Sequence, residues 1–551
     1  MSDIDLPNEI FFMIAQHLPT SASISALMRT DRRRYHLLRD YLYDQVAGNE
    51  KNHTLNWAAK HGFERLVREM LQRGGDMWIE YPSYLSSVDH KPGPRQWLDI
   101  AVGNAAENGH ASILRQLLTR QPSALNMRSG YNDRPLITAA ANGHAETVKI
   151  LLEHSANIPP DAICGLGFGP PKSFDFSRTL NEALRKGQEE IVDILLADPR
   201  VALNSQSLPA AAWGGNERLV DLCLREAPQW APRSGYESPL GAAARHGHEA
   251  AFKMILNTEG VDPNMRDESL RTPLLVAAEY GQMNIMRILL QTPGVEIDPK
   301  EKSGATPLYY AAGRGNLALV EELLATGAVD VDCKANYDWT PLASAASSGH
   351  DKIVSLLIAA GANPDSPNAD GRTPLASAAF SGAGKVVKVL LATGRVNPSS
   401  RDCAKMTPLI HAARSGRFLG RPDDWVRTRA YEKETEKLII PLLRGEKVAT
   451  QRVNVLPEDA VQDTSTRGAL SVLEQLLALD AVDPNAQDST GRTALSHAAE
   501  MHEVEAVRVL MESKRIDPNR ADKDGWTPVK WIQKKVKPCP WNYDWEAYHG
   551  L

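Results

Sequence analysis

Apolar and small residues recur along this chain in a fixed frame. A Leu or Val opens each copy, two small residues follow, a Gly comes seven positions after the opening residue, and an apolar anchor stands five further on. The clearest copies run Thr272–Gly281, Thr306–Gly315 and Thr340–Gly349, each reading T-P-L-x-x-A-A-x-x-G and each 34 residues after the last. The frame predicts a short inner helix, capped by Thr, started by Pro in its first turn and closed by Gly in a left-handed turn. Beyond the Gly, stripes such as Val354-x-Leu356-Leu357 and Val387-x-x-Leu390-Leu391 predict an outer helix with one buried face. The paired small residues let neighbouring inner helices approach to about 8–10 Å. Asp-Pro-Asn segments at 262–264, 483–485 and 517–519 predict turn-rich fingers between copies.

The opening residues run from Leu55 through Val102, Leu136, Leu180 and Leu208 to Leu240, then at steps of 34, 34, 34, 33 and 34 to Leu409. Leu495 follows 86 residues later, which at first suggests a 52-residue insertion. The inner spacings favour another reading. Ile439-x-x-Leu442-Leu443 and Leu473-x-x-Leu476-Leu477 both carry the outer-helix stripe, and Gly468 would close an inner helix opening at Val461, 34 residues before Leu495. A degenerate repeat is therefore expected over 461–494, and only an 18-residue insertion within 417–437, between the two helices of the Leu409 copy. Two fingers are overlong (between Leu71 and Val102, and between Leu152 and Leu180), and the one between Leu196 and Leu208 is nearly deleted. After Val529 only half a copy remains. There Ile532 and Gln533 replace the small pair, and Trp531, Trp541, Tyr543, Trp545 and Tyr548 are expected to cover the end.

A period near 33 with T-P-L-x-x-A-A-x-x-G resembles the ankyrin repeat. The resemblance implies an all-α solenoid of helix–turn–helix units with finger loops, thirteen repeats and a half, on the order of 120 Å long at one helix spacing per repeat. It implies protein binding on a concave groove and no built-in reaction.

Residues 1–48 break the frame. Leu6, Pro7, Ile10, Ile14 and Leu18 lie on one face of a short amphipathic helix, and a second helical pattern follows over 23–45. The pattern L-P-x-E-I-x-x-x-I-x-x-x-L resembles the F-box, and its position ahead of ankyrin repeats is a familiar order among fungal proteins. It departs at Met28-Arg29, where Val-Cys is usual, and at Tyr35, where Trp is usual. The resemblance implies that the five apolar residues dock on the linker subunit of an SCF-type ubiquitin ligase, as helix-in-groove anchors do. The other reading makes this hairpin a cap on the array's N-terminal end. The expected organisation is a helical F-box-like module at 1–48, a repeat array at 52–528, and a half repeat with an aromatic cap at 529–551.

Composition narrows the partners. A net charge of −6 over 551 residues argues against nucleic acid or a membrane surface as the partner. No stretch approaches the roughly 18 apolar residues of a bilayer span, and the acidic start does not read as a secretory signal. Five scattered cysteines, with no C-x-x-C, fit free thiols in a reducing compartment, cytoplasmic or nuclear. The lysines at 530, 534, 535 and 537 read as a solvated helix end or a nuclear signal.

No catalytic constellation is present, so neither an enzyme nor a cofactor or metal is expected. His110, His144, His248 and His350 follow helix-ending glycines one per repeat, too far apart for a ligand set, and read as turn residues. The glycine-rich run at 165–169 lacks the Lys-Ser/Thr of a phosphate loop. Cys403 beside Lys405 reads as an exposed thiol. The ankyrin resemblance turns the two residues before each Gly toward the groove, and Tyr, Trp and Arg dominate interface energetics. Tyr280, Arg314, Tyr337, Trp339 and Phe380 are therefore the candidate partner-binding face. The function expected is an interaction adaptor, a substrate receptor of an SCF-type ligase whose groove holds a protein client. The alternative is an ankyrin scaffold or inhibitor with no ligase link.

Overall fold

The computed structural model describes residues 51–73, 94–120, 135–156, 176–226, 237–414, 428–446 and 464–533. The F-box-like residues Leu6, Pro7, Ile10, Ile14 and Leu18, the two overlong fingers, Val461 and the aromatic residues after 533 lie outside them. Among the described residues all regular structure is helical. Two units are present, Met1–Val261 and Asp262–Leu551.

In the first unit six helix pairs follow in order: α1 Lys51–His61 and α2 Glu64–Arg73, α3 Pro94–Glu107 and α4 Ala111–Arg120, α5 Pro135–Ala141 and α6 Ala145–Ala156, α7 Phe176–Arg185 and α8 Glu189–Leu196, α9 Ser207–Gly214 and α10 Glu217–Glu226, α11 Pro239–His246 and α12 Glu249–Leu256. The odd-numbered helices pack on one another as an inner layer. Their alanines, such as Ala105, Ala106, Ala139 and Ala140, are fully buried. With no side chain beyond Cβ, these positions let one helix backbone approach the next.

The histidines after the helix-ending glycines are staples between repeats. His110 Nε2 lies 3.1 Å from the Lys60 carbonyl, His144 Nε2 2.9 Å from that of Glu107, and His248 Nε2 3.0 Å from that of Trp213. Each ring thus meets a carbonyl at the end of the preceding inner helix, and that of Glu107 also accepts from Asn142 Nδ2 at 2.8 Å. The glycine of the preceding repeat is needed twice over. Gly109 has φ 72°, and a Cβ on it would run into the His144 ring.

The second unit continues the pattern. Inner helices α13 Pro273–Tyr280, α15 Pro307–Arg314, α17 Pro341–Ser347, α19 Pro374–Phe380 and α21 Pro408–Arg414 alternate with outer helices α14 Met283–Gln291, α16 Leu317–Ala325, α18 Asp351–Ala359 and α20 Gly384–Ala392. Thr272, Thr306, Thr340 and Thr373 cap the inner helices, and the Thr340 hydroxyl accepts from the Ala343 amide at 3.1 Å. Each is buried, so its hydroxyl satisfies a donor that water does not reach. His350 repeats the staple, 3.2 Å from the Gly313 carbonyl.

After α21 the chain departs from the expected order. Helix α22 is Thr428–Leu443, α23 is Thr464–Leu477, α24 is Ala494–Glu500, α25 is Val504–Glu512 and α26 is Pro528–Ile532. The degenerate repeat expected over 461–494 opens at Val461, which lies outside the described residues. One unbroken helix, α23, passes through Gly468, so this glycine does not close an inner helix. A Cβ there would collide with the Gly382 carbonyl, which seats α23 against the end of α19. Helix α23 packs on α20, α21 and α25, and the inner helix α21 packs directly on the inner helix α24. Residues 415–463 separate the inner helix α21 in sequence from the outer helix α23 that packs on it.

The fingers confirm that pairing. Backbone hydrogen bonds link successive finger tips: Lys302 N to Ser269 O at 2.9 Å, Ala369 N to Tyr337 O at 2.8 Å and Cys403 N to Asp370 O at 2.7 Å. The next link joins Ser489 N to Ala404 O at 2.7 Å. Repeats 86 residues apart in the frame are thus direct neighbours. Further along, Ser399 Oγ donates to the Ala481 carbonyl at 2.7 Å and Gln475 Nε2 to the Gly384 carbonyl at 3.2 Å.

Helix α22 packs on α25 and α26. Its stripe is an outer-helix stripe, with Ile439 and Leu443 buried at 0% and 3% exposure, but it serves the last repeat. The inner helix α26 comes from 528–532 and its outer partner from the insertion, so the terminal repeat is assembled out of chain order. Val504 and Val509 of α25 are buried, whereas the corresponding Asp351 and Leu356 of α18 are half-buried.

Candidate partner-binding groove

Each finger ends one residue before the capping Thr, eight residues before the penultimate groove position of the inner helix. Across this spacing the side chains meet. Arg271 reaches Glu279 at 3.1 Å and is also held by Asp267 at 2.8 Å. Arg492 reaches Glu500 at 2.8 Å while lying 3.4 Å from the Trp531 ring centroid. In the first unit the signs are reversed, Glu237 to Arg245 at 2.8 Å. Arg372 lies over Phe380 at 5.2 Å, and Arg414 Nη1 approaches Met406 Sδ at 2.8 Å. A helix of two turns followed by a left-handed stop brings its C-terminal end back beside the finger that leads into it, which is why the spacing is constant.

A second spacing, nine residues, ties each finger to the inner-helix interior. His411 Nε2 lies 2.8 Å from Asp402 Oδ2, His497 Nε2 2.8 Å from Asp488 Oδ2, Trp531 Nε1 2.9 Å from Asp522 Oδ2, and the Tyr310 hydroxyl 2.9 Å from Glu301 Oε1. Burial pushes the Asp402 carboxyl up, but the hydrogen bonds from His411 and the Met406 amide outweigh it and hold the group below its ordinary value. Burial is the largest influence on His411 and lowers it, so the ring is neutral and its Nε2–H donates to the ionised Asp402. Asp488 is pushed up by burial and pulled further down by His497, the Thr490 hydroxyl and two backbone amides. Burial raises the Cys333 thiol to about 11 and the Cys223 thiol to about 12, which leaves both protonated. Among the described residues no group of three or more His, Cys, Asp or Glu is placed to hold a metal.

The candidate binding residues fall into three places. Tyr280, 37% exposed at the end of α13, carries the Arg314 guanidinium 5.9 Å from its ring centroid. Tyr337, 59% exposed, stands at a finger tip with φ 54°, a left-handed conformation that costs a residue with a Cβ about 1 kcal/mol. Trp339 is half-buried two residues on, its carbonyl accepting from the Ala335 amide at 2.9 Å. Phe380 is half-buried between Arg372 and the edge of the His411 ring, 5.9 Å between centroids. The structure thus joins Tyr280 with Arg314 and places Phe380 in a separate group with Arg372 and His411. Sequence reasoning did not find Arg372, nor the Arg–Glu locks on either side; the eight-residue spacing was the available signal.

Leu270, Tyr280 and Tyr337 are the large apolar side chains most exposed among the described residues. Leu270 and Asp338 also hold left-handed backbone, φ 62° and 58°, where Gly304, Gly371 and Gly491 stand in other fingers. No described helix is long and apolar enough to cross a membrane.

Comparison with known proteins agrees with this architecture. The family model described as ankyrin repeats (3 copies) matches residues 102–207, 208–301, 293–368, 356–420 and 460–533, well over half of the chain. The stretch it skips, 421–459, lies inside the insertion. The ankyrin repeat-containing protein ITN1 of Arabidopsis thaliana is 28% identical over 127 residues, 21% of this chain and 21% of that protein. The match therefore spans about a fifth of that relative's length.

Proposed function

The chain belongs to the ankyrin-repeat family, and from that premise we propose that it is a substrate-receptor adaptor of an SCF-type ubiquitin ligase. Its coarser role as a protein–protein interaction adaptor rests on the repeat array itself. In the finer reading, the groove and fingers of the second unit hold a protein client through Tyr280, Arg314, Tyr337, Trp339 and Phe380. Leu6, Pro7, Ile10, Ile14 and Leu18 dock on the ligase linker subunit, in the cytoplasm or nucleus. The chain supplies proximity and orientation for ubiquitin transfer and makes no covalent bond itself.

The observations that carry the client-binding half are the Arg314 guanidinium over the Tyr280 ring and, at a separate finger tip, the exposed Tyr337 in left-handed backbone. Aromatic and arginine side chains of this kind are the usual anchors of interfaces, and backbone strain persists where function holds it. The ligase half is supported by the L-P-x-E-I pattern of residues 6–10. Co-purification of the linker subunit with the intact chain, lost in the Leu6→Ala/Pro7→Ala/Ile10→Ala variant, tests it. If the linker never co-purifies with the intact chain, the ligase reading fails and the scaffold reading stands.

A further inference from the structure

The inner helices α15, α17, α19 and α21 contain no Asp or Glu. On one side of this run α13 carries Glu279, locked to Arg271, and on the other α24 ends in Glu500, locked to Arg492. In a chain of net charge −6, four consecutive repeats thus line the groove floor without a carboxylate. The finger carboxylates over the same repeats are largely engaged. Glu301 receives the Tyr310 hydroxyl, Asp338 faces Lys334 at 3.5 Å, and Asp402 receives His411; Asp370 remains exposed at its tip. Arg314, exposed over Tyr280, and Arg372, over Phe380, make no salt bridge among the described residues, and Arg372 only adds to the charges that hold the Asp402 carboxyl low.

We propose that the groove of the second unit, from Tyr280 and Arg314 to Arg372 and Phe380, recognises an extended acidic protein segment. The proposal rests on the client-binding reading above and names the chemistry of the client. A lone guanidinium offers two parallel N–H groups to one carboxylate, whereas a phosphate dianion calls for several converging cations. Arg314 and Arg372 stand two repeats apart, about 16–20 Å at one helix spacing per repeat. An extended chain covers that distance in five or six residues, at roughly 3.3–3.6 Å each. The segment therefore carries acidic residues five or six positions apart, with an aromatic or aliphatic residue between them to meet Trp339 and Tyr337.

A random 12-residue peptide library displayed on phage and selected on the full chain tests this. Enriched sequences should be net negative with that spacing, and synthetic fluorescein-labelled copies should bind at least tenfold more weakly to Arg314→Glu. Lys388→Glu on the outer helix α20 should leave binding unchanged. Arg314 is exposed, so an unaltered melting temperature verifies that its variant folds. Enrichment of neutral or basic peptides that still depend on Tyr280 would overturn the acidic assignment and leave the groove as the client site. Absence of any enrichment dependent on Tyr280 or Arg314 would overturn both.

Discussion

Helix α22 offers the sharpest test of the architecture, because two readings of its apolar stripe place it against different neighbours. Ile439 and Leu443 are buried at 0% and 3% exposure, one helical turn apart, on the face toward α25 and α26. Truncating a buried Ile or Leu to Ala costs about 2–5 kcal/mol. At the end of an array, where neighbours relax into the space, the lower part of that range applies, so the Ile439→Ala/Leu443→Ala pair should cost about 4 kcal/mol. Each 1.4 kcal/mol is tenfold in an equilibrium constant, so opening of the terminal repeat should rise by roughly three orders of magnitude. Repeat arrays lose structure from the perturbed unit outward. Hydrogen exchange read by mass spectrometry should show protection falling over 436–446, 504–512 and 528–532, with 374–414 unchanged. If α22 were instead the outer helix of α21, the loss would centre on 384–414 and spare 528–532. That outcome would refute the out-of-order repeat.

Three further predictions follow from single positions. Asp338→Gly and Leu270→Gly, each relieving left-handed backbone, should raise stability by about 0.5–1 kcal/mol in chemical denaturation; a loss would show that those side chains hold the fingers. Thr340→Ala removes a buried helix cap and should lower stability by about 1 kcal/mol, with Thr340→Ser retaining most of it. The Asp402 and Asp488 carboxyls are held below their ordinary values, so their contribution is present above the unfolded carboxylate pKa and is lost as pH falls through the folded one. Thermal melts should therefore fall steeply below about pH 4, and the acid limb should flatten in Asp488→Asn; an unchanged limb would mean that other groups set it.

Local chemistry explains why much of the fold was legible. Thr, Pro, paired alanines and Gly act within one helix or one turn, so the frame from Leu240 to Leu409 located every inner helix there. The histidines were recognised as turn residues, but their bonds to carbonyls some 35 to 50 residues earlier follow only from stacking. Among the candidate binding residues, the Tyr280–Arg314 contact joins equivalent positions of successive repeats. Their proximity follows from the period, but the locking of Glu279 by Arg271 beside them depends on how the finger folds back.

By itself the sequence determined the repeat, its caps and, from Leu240 to Leu409, which helices are inner ones, because those properties depend on residues within about ten positions of one another. Tertiary structure alone decided which outer helix serves which inner one. Ile439-x-x-Leu442-Leu443 and Leu473-x-x-Leu476-Leu477 present the same apolar face, and either stripe can cover an inner helix. Periodicity therefore cannot rank one seat above another. The choice was made by contacts that only the folded chain brings together: Gly468 against Gly382, Gln475 on Gly384, and Ser489 on Ala404.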